Sequence, residues 1–391
     1  MQIYLDYSAT TPPRPEAIAA VTNTMQQQWG NPSSLHEWGR RSATVLERAR
    51  MQVADLVGAD PGAIVFTSGG TEANHLAVFG VARRCTAPGH AIASRVEHPA
   101  VSEPMARLQR QGWDVTWLEV DGNGRVDPAD LAASLRPDTA LVSIIYGQSE
   151  VGTLQPIAEL GRMARDRGVL FHTDAVQVAG RLPIDVSTLP VDLLSLSSHK
   201  LYGPQGAGAL YVRPGVELAP WLRGGNQEFA LRSGTQAVPT LAGFGAAAAL
   251  AAVEVETEMQ RLQNLRDRLF DRLSDCPYLQ PVGDRWHRLP HHVSFCLQDL
   301  PENVTGKAIV RQCDLAGLAI SSGSACHRGK TAPSAVLSAM GYSPQQAKNG
   351  IRLTLGRHTT AVDVDWTAMV LKQILVRSRL VGKSDIRLAS V

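Results

Sequence analysis

The sequence predicts an α/β fold, with a mostly parallel sheet in a large domain and a second, smaller α+β domain. Three observations carry that prediction. Between about residues 60 and 213, short apolar runs alternate with helical segments, the rhythm of βαβ units. A long helical stretch then occupies residues 238 to 275. Beyond it the chain returns to short strands and helices in a smaller unit. A length of 391 residues suits two or three compact units of about 100 to 200 residues each.

Taken in order, IVFTS precedes TEANHLAVFGVARR, HAIAS precedes PAVSEPMARLQRQ, TALVSIIYG precedes PIAELGRMARDRG, and VLFHTDA is the next apolar run. Such short apolar runs suit strands buried on both faces by covering helices. LLSLSS and GALYVR continue the series without a full helix between them, which allows one strand to run antiparallel. The stretch from 238 is Ala-rich at first and then carries Leu262, Leu265, Leu269 and Leu273 at spacings of three and four. That is one apolar stripe, on a helix leaving the first domain. HHVSFCLQ, GLAIS and IRLTLG then alternate with TGKAIVRQCDL, PSAVLSAM and VDWTAMVLKQILV.

Composition excludes several classes of function. A balance of 38 basic against 36 acidic residues gives no field to recommend nucleic acid or an anionic membrane as a partner. The opening MQIYLDYSATTPPRPEA has neither a basic nor an apolar signal region, and no apolar run approaches the ~20 residues needed to span a bilayer. A cytoplasmic protein is expected. The five cysteines, Cys85, Cys276, Cys296, Cys313 and Cys326, are odd in number, irregularly spaced and free of any CxxC pair. They form neither a disulfide framework nor a zinc site, and most are expected to be buried thiols. Cys326 differs, because Ser321, Ser322, Gly323, Ser324, Ala325 and Gly329 around it are small or flexible and suit an exposed loop.

Ligands of open α/β sheets bind at the carboxyl ends of the strands, and polar residues gather at those ends here. Ser68-Gly69-Gly70-Thr71-Glu72 lets backbone approach a ligand and begins a helix whose free N–H groups favour a phosphate; taken alone, it also reads as a plain capped turn. Glu97-His98-Pro99 follows the next strand, where a lone histidine is ordinarily a surface or capping residue. His172-Thr173-Asp174 ends VLF with a carboxylate that reads equally as a cap or as half of a metal site lacking its other half. Ser195 to Pro204 runs from a strand into a Gly/Pro-rich turn bearing Lys200. An aldehyde cofactor needs a lysine for a Schiff base, an acid to keep a pyridine nitrogen protonated and a helix N-terminus for its phosphate. Lys200, Asp174 and Gly70-Thr71 fill those three roles jointly. In SSGSACHR, His327, Arg328 or Lys330 is placed to activate the Cys326 thiol, and Arg352 in IRLTLGR suits bidentate binding of a carboxylate.

YLDYSATTP from residue 4, GNPSS at 30–34, TSGGTEANHLA, EHPAV, HTDAVQ, SSHKLYGPQGAGALY, RSGT at 232–235, SSGSAC and LGRHTT ending at 360 stand in one order. That set resembles the NifS/IscS-type cysteine desulfurases of the class V aminotransferase superfamily, fold type I pyridoxal-phosphate enzymes. The resemblance implies a seven-stranded sheet in a large cofactor-binding domain over residues 14–257. A small domain would comprise 1–13 and 258–391 and carry the cysteine loop at about 321–333. It implies pyridoxal 5'-phosphate bound to Lys200, with His98 stacked on the ring and assisting acid/base steps. Asp174 would meet the ring nitrogen and Gln177 the phenolic oxygen. Gly70, Thr71, Ser197 and His199 would hold the phosphate, with Thr235 reaching in from the other subunit of a homodimer. Asn31 and Arg352 would bind the substrate carboxylate. Cys326 would take sulfur from L-cysteine as a persulfide and hand it to an acceptor or iron–sulfur scaffold protein. The thiol could also ligate a transferred [2Fe–2S] cluster, with no intrinsic metal site implied.

Three positions depart from the family pattern. Gln148-Ser149-Glu150 stands where Asn-Asn-Glu is usual, so the asparagine contact to the cofactor is taken over by Ser149 or lost. Gln227-Glu228-Phe229 replaces Gln-Glu-Arg, and Lys330 to Pro333 lacks an acidic residue before the proline. The competing readings are a selenocysteine lyase or a cysteine/cystine C–S lyase on the same scaffold. A class V aminotransferase and a non-catalytic iron–sulfur or partner-binding protein on a retired scaffold are further alternatives.

Overall fold

The computed structural model describes residues 2–301, 303–323 and 333–388, with side chains to residue 380. After β1 (Ile3–Tyr4) come α1 (Pro15–Gln27) and α2 (Glu37–Asp55), and then an alternating series. It runs β2 (Ile64–Thr67), α3 (Gly70–Ala82), β3 (His90–Ser94), α4 (Pro99–Arg110), β4 (Asp114–Leu118), α5 (Pro128–Ser134), β5 (Thr139–Ser143), α6 (Ile157–Asp166) and β6 (Leu170–Asp174). β7 (Leu193–Ser197) and β8 (Gly208–Val212) complete it. These strands form one seven-stranded sheet in the order β2-β8-β7-β6-β5-β3-β4. Only β8 is antiparallel to its neighbours, as the absence of a helix before it allows. β2, β3, β5, β6 and β7 therefore deliver Ser68, Glu97, Ser149, Asp174 and Lys200 to one edge of the sheet.

α7 (Val238–Leu273) links two cores. Its first half puts Leu241, Phe244, Ala247, Ala248 and Ala251 into the core beneath the sheet, and its second half puts Leu262, Leu265, Leu269 and Leu273 into another. By length and composition this helix could cross a membrane, which qualifies the sequence reading of apolar runs; in the fold, α1 and α2 pack along it and half of its most apolar window is buried. The second core lies between α7, the sheet of β9 (Leu279–Pro281), β10 (His292–Leu297) and β12 (Gly350–Thr354), and the helices α8 (Gly306–Leu315) and α10 (Ala361–Leu388). β11 (Leu318–Ala319) pairs in parallel with β1, and α9 (Ala335–Ala339) follows the Cys326 segment. The Asp6–Thr354 bridge and the β1 pairing tie the N-terminal residues to this second unit.

Cys276, Cys296 and Cys313 are buried, and burial pushes the Cys296 and Cys313 thiols up to about 11 and about 12. Cys85 is exposed, an exception to the expected burial. Cys326 lies outside the described residues, as do the flanking His327, Arg328 and Lys330.

Candidate active site

The turn between β2 and α3 is shaped by a close backbone approach. Gly208 on β8 lies against Gly69, and a Cβ at 208 would stand 2.5 Å from the Gly69 carbonyl carbon. Only glycine leaves that space. Glu72 braces the turn from within α3, accepting from Ser68 N at 2.7 Å and from Arg232 Nε at 2.9 Å. Arg232 and Ser68 hold its carboxyl below the usual range against the opposing effect of burial. The first N–H groups of α3, at Gly70 and Thr71, open onto a recess of about 390 Å³ that Ser197 and His199 also line.

A second cavity of about 250 Å³ shares Gly70, Thr71 and His199 with that recess, and Lys200, Asp174, His98, Gln177 and Ser149 line it. Asp174, at the end of β6, is buried and accepts from Asn74 Nδ2 at 2.7 Å and Val176 N at 3.0 Å. The alternative reading of this carboxylate as a helix cap is not what the fold shows: turns, not a helix, follow β6. Lys200 Nζ donates to the carbonyls of Ser8 at 2.6 Å and Ala9 at 2.7 Å, and Gln177 Nε2 donates to the same Ser8 oxygen at 2.9 Å.

The lysine turn is fixed just beyond. Tyr202 takes a left-handed φ of 68°, rarely adopted by aromatic residues, and is held by bonds from its N–H to Thr11 Oγ1 and from Arg181 and Arg357 to its hydroxyl.

His98 caps α4, its Nδ1 accepting from Ala100 N at 3.1 Å. That bond leaves the proton of the neutral ring on Nε2. Burial lowers its pKa most, Asp174 opposes and Lys200 reinforces the lowering. His199 bonds Thr10 Oγ1 at 3.1 Å, and burial with Lys200 nearby pushes it down to about 4, so both rings are neutral at pH 7. Behind His98, the carboxyl of buried Glu97 is pushed up to about 8 by burial while accepting from Ser94 Oγ and Ile145 N.

Arg352, on β12, reaches this edge from the second unit. Nη1 donates to Ser149 O at 2.8 Å and Nη2 to Asp6 Oδ1 at 2.7 Å, while buried Nε has no hydrogen-bond partner among the described residues. Ser149 O also pairs with His292 Nε2 at 3.1 Å, so at this departure from the family pattern the backbone carbonyl ties the cavity wall to the second unit. Three expected residues line neither cavity of this chain: Arg352, which meets the wall through Ser149 O, and Asn31 and Thr235. Asn31 is exposed and accepts from Ser33 N at 2.9 Å, and Thr235 is exposed beyond Gly234. Sequence reasoning missed Asn74, Asp6 and the Ser8 and Ala9 carbonyls. Asn74 had a signal, since it lies one turn after Gly70 on the same helical face. Among the described residues, no cluster of His, Cys, Asp and Glu suits a metal.

A lysine and a carboxylate facing across a cavity at the strand ends of a mostly parallel sheet, with a helix N-terminus beside them, define an enzyme that works with an aldehyde cofactor. The chain belongs to the aminotransferase class-V family, which it matches over residues 3–366. It is 44% identical over 386 residues to cysteine desulfurase IscS of Dictyoglomus turgidum, covering 97% of this chain and 96% of that protein. Its fold is similar to a solved NifS-like protein, with a TM-score of 0.89, 32% identity and coverage of 96% and 100%. It is also similar to SspA in complex with cysteine, with a TM-score of 0.80, 32% identity and coverage of 92% and 100%.

Pyridoxal 5'-phosphate, the cofactor of this family, fits the residues present. Buried Asp174 presents a carboxylate to the cavity, the acceptor that a protonated pyridine nitrogen requires. The two cavities joined at Gly70, Thr71 and His199 accommodate a ring beside a phosphate, and a Cβ at Gly70 would meet Val176 Cγ2 at 2.7 Å.

Proposed function

We propose that this chain is a cysteine desulfurase. It converts L-cysteine to L-alanine and passes the sulfur, as a Cys326 persulfide, to an acceptor protein for iron–sulfur cluster or other sulfur-containing cofactor synthesis. The observation that carries the reading is the cavity that Lys200 and Asp174 line together, with buried Arg352 bonded to Ser149 O in its wall. An amino acid substrate brings a carboxylate suited to that guanidinium. The likeness to IscS and to a protein solved with cysteine supports the choice of amino acid.

In this reading Lys200 holds the cofactor, Asp174 pairs with its ring nitrogen, and Gln177 and Ser149 flank it. His98 covers the ring. Gly70, Thr71, Ser197 and His199 take the phosphate. The cofactor supplies an electron sink that lets the substrate Cα give up its proton and loosens the bond to sulfur. Arg352 orients the carboxylate, and Lys200 Nζ moves the Cα proton. The Cys326 thiolate attacks substrate Sγ; the S–S bond forms as the C–S bond breaks, and Cβ takes a proton to give alanine. The raised pKa values of Cys296 and Cys313 make them poor competitors for that role.

The working unit in this reading is a homodimer. Trp29, Trp38 and Phe229 are all more than half exposed, the Trp29 and Trp38 rings lie 6.5 Å apart, and Phe229 lies beside Arg50 of α2. Such an apolar surface suits a second copy, whose Thr235 and Asn31 would complete the phosphate and carboxylate sites. Turnover of L-cysteine by wild type and Cys326→Ala tests the reading. Alanine and sulfide from wild type, with sulfur transfer abolished and the lysine Schiff-base absorbance retained in the variant, is expected. Undiminished sulfur transfer by the variant would overturn it.

A further inference from the structure

Glu150 has no task in the scheme above, yet it stands at a junction. Its neighbour Ser149 lines the cofactor cavity and carries the carbonyl that anchors Arg352 and His292. Its own N–H is held by the Gln148 side chain, within the turn that closes at Gly152 N to Gln148 O. The side chain leaves this turn for the other unit. Oε2 accepts from Ser334 Oγ at 2.6 Å, and a Cβ on Gly323 would lie 3.0 Å from the same oxygen, so the Gly323 backbone is packed against the carboxyl.

Gly323 is the last described residue before the segment that bears Cys326, and Ser334 is the second described residue after it. Both are themselves fixed. Gly323 N donates to Gly350 O at 3.4 Å and Ser334 N to Ala347 O at 2.9 Å, while Ser334 Oγ caps α9 by accepting from Leu337 N at 3.1 Å. One half-buried carboxyl thus joins the wall of the cofactor cavity to both roots of the cysteine segment. Burial pushes that carboxyl up to about 7, against the lowering by Ser334 and Arg352. It is therefore not a strongly committed anion, and an uncharged oxygen acceptor serves the same bond.

We infer that Glu150 is a positioning residue for sulfur transfer, holding Gly323 and Ser334, the roots of the Cys326 segment, in register with the turn that carries Ser149 and anchors Arg352. This rests on the desulfurase reading. Because reacting atoms must meet within near-attack distance, slack at the roots lowers the rate at which Cys326 meets substrate sulfur while substrate and cofactor sites remain formed. A residue serving only the stability of the fold would lower all of these together.

The test compares wild type, Glu150→Ala, Glu150→Gln, Ser334→Ala and the Glu150→Ala/Ser334→Ala double variant as holoenzymes. Three quantities are read: the cofactor spectrum and its change on adding L-cysteine, the KM for cysteine, and the rate of Cys326 persulfide formation. E150A is expected to slow persulfide formation roughly ten- to 100-fold, with KM within about twofold and the cysteine-induced spectral change kept. E150Q, whose amide oxygen still accepts from Ser334, is expected to restore most of the rate. S334A, which also loses the cap on α9, should slow transfer as well, and the loss in the double variant should fall short of the product of the two single losses, because the Glu150–Ser334 bond is common to all three.

Wild-type transfer rates in E150A, equal loss of the spectral response and transfer, or multiplying losses in the double variant would each overturn the inference. Persulfide in wild type with undiminished transfer in E150A sinks this inference alone. No persulfide in wild type sinks the desulfurase reading and this inference with it.

Discussion

Arg352→Lys separates charge from geometry at the substrate carboxylate. The guanidinium makes two bonds, Nη1 to Ser149 O at 2.8 Å and Nη2 to Asp6 Oδ1 at 2.7 Å, and its buried Nε has no hydrogen-bond partner among the described residues. A lysine keeps the positive charge beside Asp6, but its single ammonium lacks the planar fork that serves two fixed acceptors and a carboxylate together. The expected deficit is one charge-assisted hydrogen bond to substrate, about 1.5–3 kcal/mol. At about 1.4 kcal/mol per tenfold, kcat/KM for L-cysteine falls roughly ten- to 150-fold. Alanine formation over a range of cysteine concentrations measures the loss, and titrating the cofactor spectrum with cysteine shows whether it lies in binding. The Lys200 Schiff-base absorbance without substrate should be unchanged. A kcat/KM within about twofold of wild type would refute the assignment of Arg352 to the carboxylate.

Two further perturbations probe the surroundings of the cavity. Gly208→Ala drives a methyl group to within 2.5 Å of Gly69, so the phosphate turn must shift; overpacking costs about 1–3 kcal/mol of stability, and cofactor affinity measured by spectrophotometric titration should fall. Unchanged cofactor affinity would show that the turn does not hold the phosphate. Glu97→Gln mimics the protonated acid favoured by burial. Because the folded pKa is raised from 4.5 to about 8, wild type loses stability as pH rises through that window. The folding constant of E97Q relative to wild type should therefore rise by up to about tenfold per pH unit there and level off above it. Parallel denaturation curves at pH 5 and pH 8 would contradict the buried neutral carboxyl.

Much of the site was legible because its residues sit where sequence patterns end. Lys200 and Asp174 terminate apolar runs, and the Gly70-Thr71 turn marks the passage from period two to a helix. The β6 carboxylate was ambiguous until the structure showed turns rather than a helix after it. Asp6 was not legible as the partner of Arg352, since they meet across 346 residues and only the β12 and β1 placements join them. The Ser8 and Ala9 carbonyls that hold Lys200 and Gln177 are backbone groups with no side-chain signature. β4 and α5 were also inconspicuous: DVTWL lies at the edge of the sheet and is only partly buried, so it lacks an unbroken apolar run. Asn31 and Thr235 line neither of this chain's own cavities.

The most direct measurement follows a single turnover with L-cysteine labelled in sulfur, with alanine quantified and the Cys326 peptide examined by mass spectrometry under non-reducing conditions. The expected result is one labelled sulfur added to Cys326 for each alanine formed, with the label lost to a thiol acceptor and alanine left in solution. Alanine formed with an unmodified Cys326 peptide, or label released as sulfide without passing through that residue, would contradict persulfide transfer by this protein.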